Sequence, residues 1–179
     1  QINLTELIQS GHLVPPRTFV MDVGVRDALM NIKKGAADYD MDAAAEIMNV
    51  SPVNNAVIRH WKEKAGDRKT VIFCSTIAHA LDVTLAFQAA GVKAAAISGD
   101  LSKQERRRTL EEFEQGATQI IVNVAVLTEG WDHPPTSCVI LLRPSSYKST
   151  MIQMIGRGLR TVDPELFPGV IKTDCIILD

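Results

Sequence analysis

The chain has 179 residues, enough to bury one real core and too few for two comfortably packed domains. Apolar residues at 46% and charged residues at 22% exclude a disordered or fibrous chain. A formal net charge of −2 excludes a global positive field, so any nucleic-acid contact has to come from local Lys and Arg.

No run approaches the ~18 apolar residues of a membrane span, and no charged-then-apolar signal segment opens the chain, so the expectation is a cytoplasmic protein without a membrane partner. Cys74, Cys138 and Cys175 each sit inside an apolar run, which reads as buried free thiols of a reducing compartment rather than disulfides or zinc ligands. The chain starts at Gln1 without a Met and stops at Asp179 directly after "CIIL". A piece of a longer protein is expected.

In chain order, "NLTELIQSG" predicts a short helix with Asn3 as N-cap, Glu6 at the capping-box position and Gly11 as terminator. A Pro-Pro turn and an extended apolar run follow. "GAADYDMDAAAEIM" predicts a loop and then a short helix, and residues 1–50 together are expected to be a connector arriving from an earlier domain. From Ser51, taken as an N-cap with Pro52 at the first helical position, Val53, Ala56, Val57 and Trp61 recur at helical spacing. This helix opens the main domain, 51–179.

From Lys69 strands and helices alternate. "TVIFCS", "KAAAIS", "TQIIVNV", "SCVILLR" and "TDCIILD" predict strands. "IAHALDVTLAFQAAG", closed by Gly91, "SKQERRRTLEEFEQG", with Ser102 and Glu105 as capping box, and "YKSTMIQMIGRGLR" predict helices. Near-continuous apolar strands between amphipathic helices mark a parallel sheet covered on both faces, an α/β sandwich. Functional loops of such sheets lie beyond the carboxyl ends of the strands.

The chain contains no GxxxxGK[ST] and no GxGxxG, so neither common Gly-rich route to a tightly held nucleotide is present. HExxH, GxSxG and metal-ligand spacings are absent as well, so no metal site is expected. The strongest chemical signal is "MIQMIGRGLR", Met151 to Arg160. If the stretch starts as a helix, Gln153, Gly156, Arg157 and Arg160 share one face while Met151, Ile155 and Leu159 share another. Planar, permanently charged guanidiniums suit phosphate oxygens, and glycine beside them allows close approach. On these residues alone, a solvated helix end is the better reading, with the arginines complementing the last-turn carbonyls. Other loops turn the balance. "VLTEGWD" offers Thr128, Gly130 and Asp132, "SGD" at 98–100 is a turn before an N-cap, and Ser75 with Thr76 ends the first core strand.

The succession "VIFCST", "ISGD", "VNVAVLTEGWD" and "QMIGRGLR" resembles motifs IV to VI of superfamily 2 helicases and translocases over about Thr70 to Asp179. Within that group it is similar to RadD-like repair ATPases and to the helicase subunit of type III restriction enzymes. The resemblance implies a RecA-like three-layer α/β/α sandwich with a mainly parallel sheet. It further implies an ATP site split between two such domains. An N-terminal RecA-like partner domain would hold most of the ATP and Mg²⁺.

On that resemblance Arg160 is the finger on the γ-phosphate, Arg157 contacts phosphate or the interdomain polar network, and Gln153 orders that network. Gly130 and Asp132 face the nucleotide, with Gly156 leaving it room. Ser75, Thr76, Ser98, Gly99, Asp100 and Thr128 belong to the nucleic-acid side. Val124 and Ala125 stand where RNA helicases usually carry Thr-Asp, and Gln153 departs from the His-Arg opening of their motif VI. Both departures point to DNA and a duplex translocase. The competing reading is a non-catalytic RecA-like module that binds nucleic acid or protein.

Several residues invite more than they carry. "QERRR" is followed by "EEFE", which reads as i to i+4 ion pairs on a solvated helix. Trp131 is expected to pack under its loop, and Lys148 to be solvated. His79 and His133 have no sequence partner that would make either a base.

Overall fold

The computed structural model describes residues 4–25, 28, 29, 41–124, 133–143 and 159–179. The described elements are α1 (Leu4–Gln9), β1 (Pro16–Phe19), α2 (Met41–Met48), α3 (Ser51–Lys64), β2 (Thr70–Phe73), α4 (Ile77–Ala89), β3 (Ala94–Ile97), α5 (Lys103–Glu114), β4 (Ile120–Asn123), β5 (Cys138–Leu141) and β6 (Cys175–Leu178). The six strands form one sheet in the order β1-β6-β5-β2-β4-β3, and every pairing among them is parallel. Four of them, "TVIF", "IIVN", "CVIL" and "CIIL", are buried at every position, the pattern of strands covered on both faces.

Strand alternation sorts the core into two layers. Ile72, Val122, Ile140 and Ile176 face the cluster built with Val57 and Trp61 of α3 and Val83 and Phe87 of α4. Val71, Phe73, Ile121, Val139 and Ile177 face the other cluster, which takes in Phe113 of α5 and Leu159. The result is the expected α/β/α sandwich. At about 25 cal/mol per Å², each fully buried Phe or Ile contributes roughly 1.5–3 kcal/mol, so Phe87 and Phe113, both wholly buried, anchor one face each.

Local signals largely hold. Ser102 Oγ accepts from Glu105 N at 3.1 Å while the Glu105 carboxylate accepts from Ser102 N at 3.0 Å, a complete capping box. Gly91 takes a positive φ of 82° just past α4, as a helix terminator should. The start of α3 differs from expectation. Ser51 is already helical, and Val50 is the cap, extended at φ −127° and without a side-chain hydrogen bond. Pro52 is then the second helical residue and supplies the fixed φ there.

The stretch read as a connector also contributes to the sheet. β1 lies beside β6 as an edge strand, Cys175 N donates to Pro15 O at 3.1 Å, and Val14 and Met21 are buried. All three cysteines are free and buried, and burial pushes the Cys138 and Cys175 thiols up to about 12, so they stay protonated and inert. Among the described residues no helix is long and apolar enough to cross a membrane.

Candidate nucleic-acid and nucleotide site

Because every strand runs the same way, their carboxyl ends share one rim. Register places Phe73 of β2 and Ile97 of β3 both opposite Asn123 of β4. The loops after β2 and β3 therefore leave the sheet two strand spacings apart, about 10 Å. The chain leaves β2 toward β3 at one edge and resumes after β4 at β5 on the other side of β2. Ligands of open α/β sheets bind at such a reversal.

Ser75 and Thr76 stand at this place. Thr76 is the N-cap of α4, extended at φ −133°, and its Oγ1 accepts from His79 N at 3.2 Å. Its hydroxyl proton stays available for an acceptor beyond the helix. Ser75 Oγ is buried and has no hydrogen-bond partner. Across β4, Ser98 Oγ accepts from Asp100 N at 3.3 Å, and Leu101 N donates to Ser98 O at 3.3 Å. A Cβ added to Gly99 would meet nothing within 4 Å, so the glycine leaves the turn open toward solvent rather than answering a backbone constraint. Ser75, Thr76, Ser98, Gly99 and Asp100 thus lie on one rim.

His79 lies under the first turn of α4, wholly buried, with neither ring nitrogen partnered. Burial pushes its pKa down to about 4 against the opposing charge of Asp82, so the ring is neutral.

Arg160 lies elsewhere. It forms an antiparallel bridge with Leu13, just ahead of the amino end of β1, and is exposed. Its neighbour Leu159 is buried in the core, with its carbonyl accepting from Val14 N at 2.7 Å, and Thr161 Oγ1 donates to His12 O at 3.2 Å. The expected helical placement of Arg160 is corrected here: its backbone is bridged and extended, not the final helical turn. Leu159, read as sharing the face opposite the arginines, is buried in the core. Gln153, Gly156, Arg157, Thr128, Gly130 and Asp132 lie outside the described residues, as do Trp131 and Lys148.

A second correction concerns α5. Arg106, Arg107 and Arg108 make no ion pair within 4 Å with the following glutamates, and the described salt bridges join Arg68 and Arg17 to Asp174 and Lys64 to Glu63. Solvent competes with such surface pairs, which are worth little.

The amino edge carries groups that sequence did not single out. Arg68 donates to Asp174 Oδ1 at 2.6 Å and to Ser137 O at 3.3 Å, and Arg17 donates to Asp174 Oδ2 at 3.4 Å. Burial pushes the Asp174 carboxyl up, but the hydrogen bonds and charges of Arg68 and then Arg17 outweigh it and hold it below the ordinary value. Among the described residues no group of three His, Cys, Asp or Glu could hold a metal ion.

Comparison with solved structures defines the class. The fold superposes on an HsdR subunit fragment of a type I restriction enzyme from Vibrio vulnificus, with TM-score 0.69 and 20% identity, over 97% of this chain and 33% of that one. It also superposes on the ATP-dependent Type ISP restriction-modification enzyme LlaBIII bound to DNA, with TM-score 0.66 and 16% identity, over 99% of this chain and 13% of that one. The fold is the RecA-like α/β/α sandwich.

The helicase conserved C-terminal domain pattern matches residues 52–162, and the chain belongs to that family, the second RecA-like domain of superfamily 2 helicases. Among curated relatives, ATP-dependent helicase IRC3 of Saccharomyces cerevisiae is 30% identical over 141 residues, 77% of this chain and 20% of that protein. The mitochondrial ATP-dependent helicase irc3 of Schizosaccharomyces pombe is 40% identical over 122 residues, 68% of this chain and 19% of that protein. The chain thus spans about a fifth of the length of these relatives.

Proposed function

We propose that the chain is the C-terminal motor domain of an ATP-dependent DNA helicase or translocase, supplying an arginine finger and a strand grip to an ATP site completed by an N-terminal RecA-like domain. The observation that carries this reading is the family match over 52–162, which takes in "QMIGRGLR", together with Leu159 seated in the core beside an exposed Arg160. A guanidinium on such a fixed segment can reach the phosphate of a nucleotide held by another domain.

Bound ATP and Mg²⁺ supply the phosphoryl group and its charge neutralisation, and the partner domain holds most of both. In this chain Arg160 stabilises charge developing on the γ-phosphate, Arg157 and Gln153 order the cleft, and Gly130, Asp132 and Gly156 meet the nucleotide. Ser75, Thr76, Ser98, Gly99, Asp100 and Thr128 grip the phosphodiester chain through hydroxyl and backbone N–H groups, without reading bases. The open Gly99 turn and the free proton of the Thr76 hydroxyl support this grip. The free buried thiols support a reducing compartment such as the cytoplasm.

The test is ATP hydrolysis by the full-length protein with single- and double-stranded DNA and RNA. Stimulation by duplex DNA above RNA is expected. Absence of hydrolysis with every nucleic acid would favour the non-catalytic module.

A further inference from the structure

The segment that begins directly after Asp132 is fastened to the amino edge of the sheet by an unusual set of contacts. His133 is 5% exposed. Its ring stands edge-on to Phe113 of α5 and to Phe167, with centroids 5.6 Å away in both cases and interplanar angles of 66° and 84°. Lys69, the residue before β2, brings Nζ to 3.0 Å from His133 Nε2 and donates to Glu114 O at 2.9 Å. The same ammonium lies 5.5 Å from the Phe113 ring centroid. Thr136 N donates to His133 O at 2.9 Å, and Lys172 Nζ donates to Pro134 O at 2.7 Å.

An ammonium has only protons to offer, so Nε2 must accept, which fixes the ring as neutral with its proton on Nδ1. Among the described residues the charged groups facing this assembly include Lys69 and Lys172, with Glu114 acting on Lys69. Burial, then Lys69, then Lys172 push the ring's pKa down to about 4. A second positive charge 3.0 Å from the ammonium would remove the acceptor and add repulsion.

We infer that His133 is a positioning residue, a neutral acceptor that locks the chain beside Asp132 to Lys69 and so to the strand that ends in Ser75 and Thr76. Resting on the motor reading above, the clamp fixes the residue that follows Asp132 to the head of β2, the strand that leads to Ser75 and Thr76. His133 touches neither ligand.

The experiment compares His133→Phe, His133→Gln and Lys69→Met with wild type in the full-length protein, reading KM for ATP and kcat with duplex DNA, and the His133 ring titration by NMR. Phe keeps an aromatic ring between Phe113 and Phe167 but offers Lys69 no acceptor, whereas the Gln amide oxygen reaches the place of Nε2. Expected are a KM for ATP raised about tenfold in His133→Phe with kcat within about threefold, and recovery to within about threefold of wild type in His133→Gln. Simple loss of folded protein would lower apparent kcat and leave KM unchanged. Lys69→Met should raise KM likewise and move the ring titration upward. A KM within twofold of wild type in His133→Phe, or no recovery in His133→Gln, overturns the inference. Wild-type protein without ATP hydrolysis on any nucleic acid sinks the motor reading instead. The ring titration decides the clamp independently of ATP: a wild-type ring titrating at an ordinary 6.5 rejects it.

Discussion

The two ends of the sheet bring together different polar groups. At the amino edge Arg68, Arg17 and Asp174 pair with one another, as do Lys69, His133 and the Glu114 carbonyl, although the Thr136 hydroxyl is buried there without a partner. At the carboxyl rim Ser75 Oγ and both nitrogens of His79 are buried without partners, and the turn at Gly99 stands open. A buried polar group without a hydrogen bond costs about 1–3 kcal/mol, so the paired groups of the amino edge help to hold the fold together, while the carboxyl rim offers the open Gly99 turn and the Thr76 hydroxyl. The same backbone serves both ends, because parallel strands segregate the two kinds of loop.

Acid should expose the difference most strongly. His79 and His133 are each held at about 4 against an ordinary 6.5, so the unfolded chain binds more protons than the folded one between those values. Their contribution is fully present above about pH 6.5 and is lost as pH falls toward about 4, amounting to a few kcal/mol for the two together. Urea titrations at a series of pH values measure it. Replacing His79 by Leu should remove one of the two contributions and raise stability at pH 7 by about 1 kcal/mol, because a buried polar ring without partners is lost. A fall in stability would show that the imidazole has a partner.

Asp174→Ala leaves the Arg68 guanidinium without its short contact. Stability should drop by about 1–3 kcal/mol, with affinity for nucleic acid unchanged. Thr76→Ala removes the α4 cap and should cost about 1 kcal/mol while also weakening nucleic-acid binding. Ser75→Ala gives the smallest change in folding, within about 0.5 kcal/mol, yet affinity for single-stranded DNA should fall several-fold. Filter binding and thermal denaturation on the same preparations separate the two effects. Equal affinity in Ser75→Ala and wild type would remove Ser75 from the grip.

Much of this fold is legible in the sequence where the signal is local. "TVIF", "IIVN" and "CVIL" announce themselves because strands buried on both faces need unbroken apolar runs, and the Ser102 capping box is visible because its parts lie three residues apart. The start of α3 is less legible, because Ser is so common a cap that Ser51 outweighs Val50, whose extended backbone nevertheless caps the helix. Long-range pairings left no trace: "PRTF" gives no sign that it will lie beside "CIIL", and nothing near His133 points to Lys69, Phe113 or Phe167. Of the candidate site, the rim residues were readable as strand ends followed by caps. The bridged position of Arg160 was not, because its partner Leu13 lies at the other end of the chain.

The most direct measurement is DNA-stimulated ATP turnover by the full-length protein carrying Arg160→Ala, alongside its equilibrium affinity for ATP. An arginine finger acts on the transition state, so turnover should fall by roughly 10³-fold while ATP affinity stays within a few-fold of wild type. Turnover undiminished by the substitution would contradict the assignment of Arg160 and, with it, the reading of this chain as the half of the motor that completes the site.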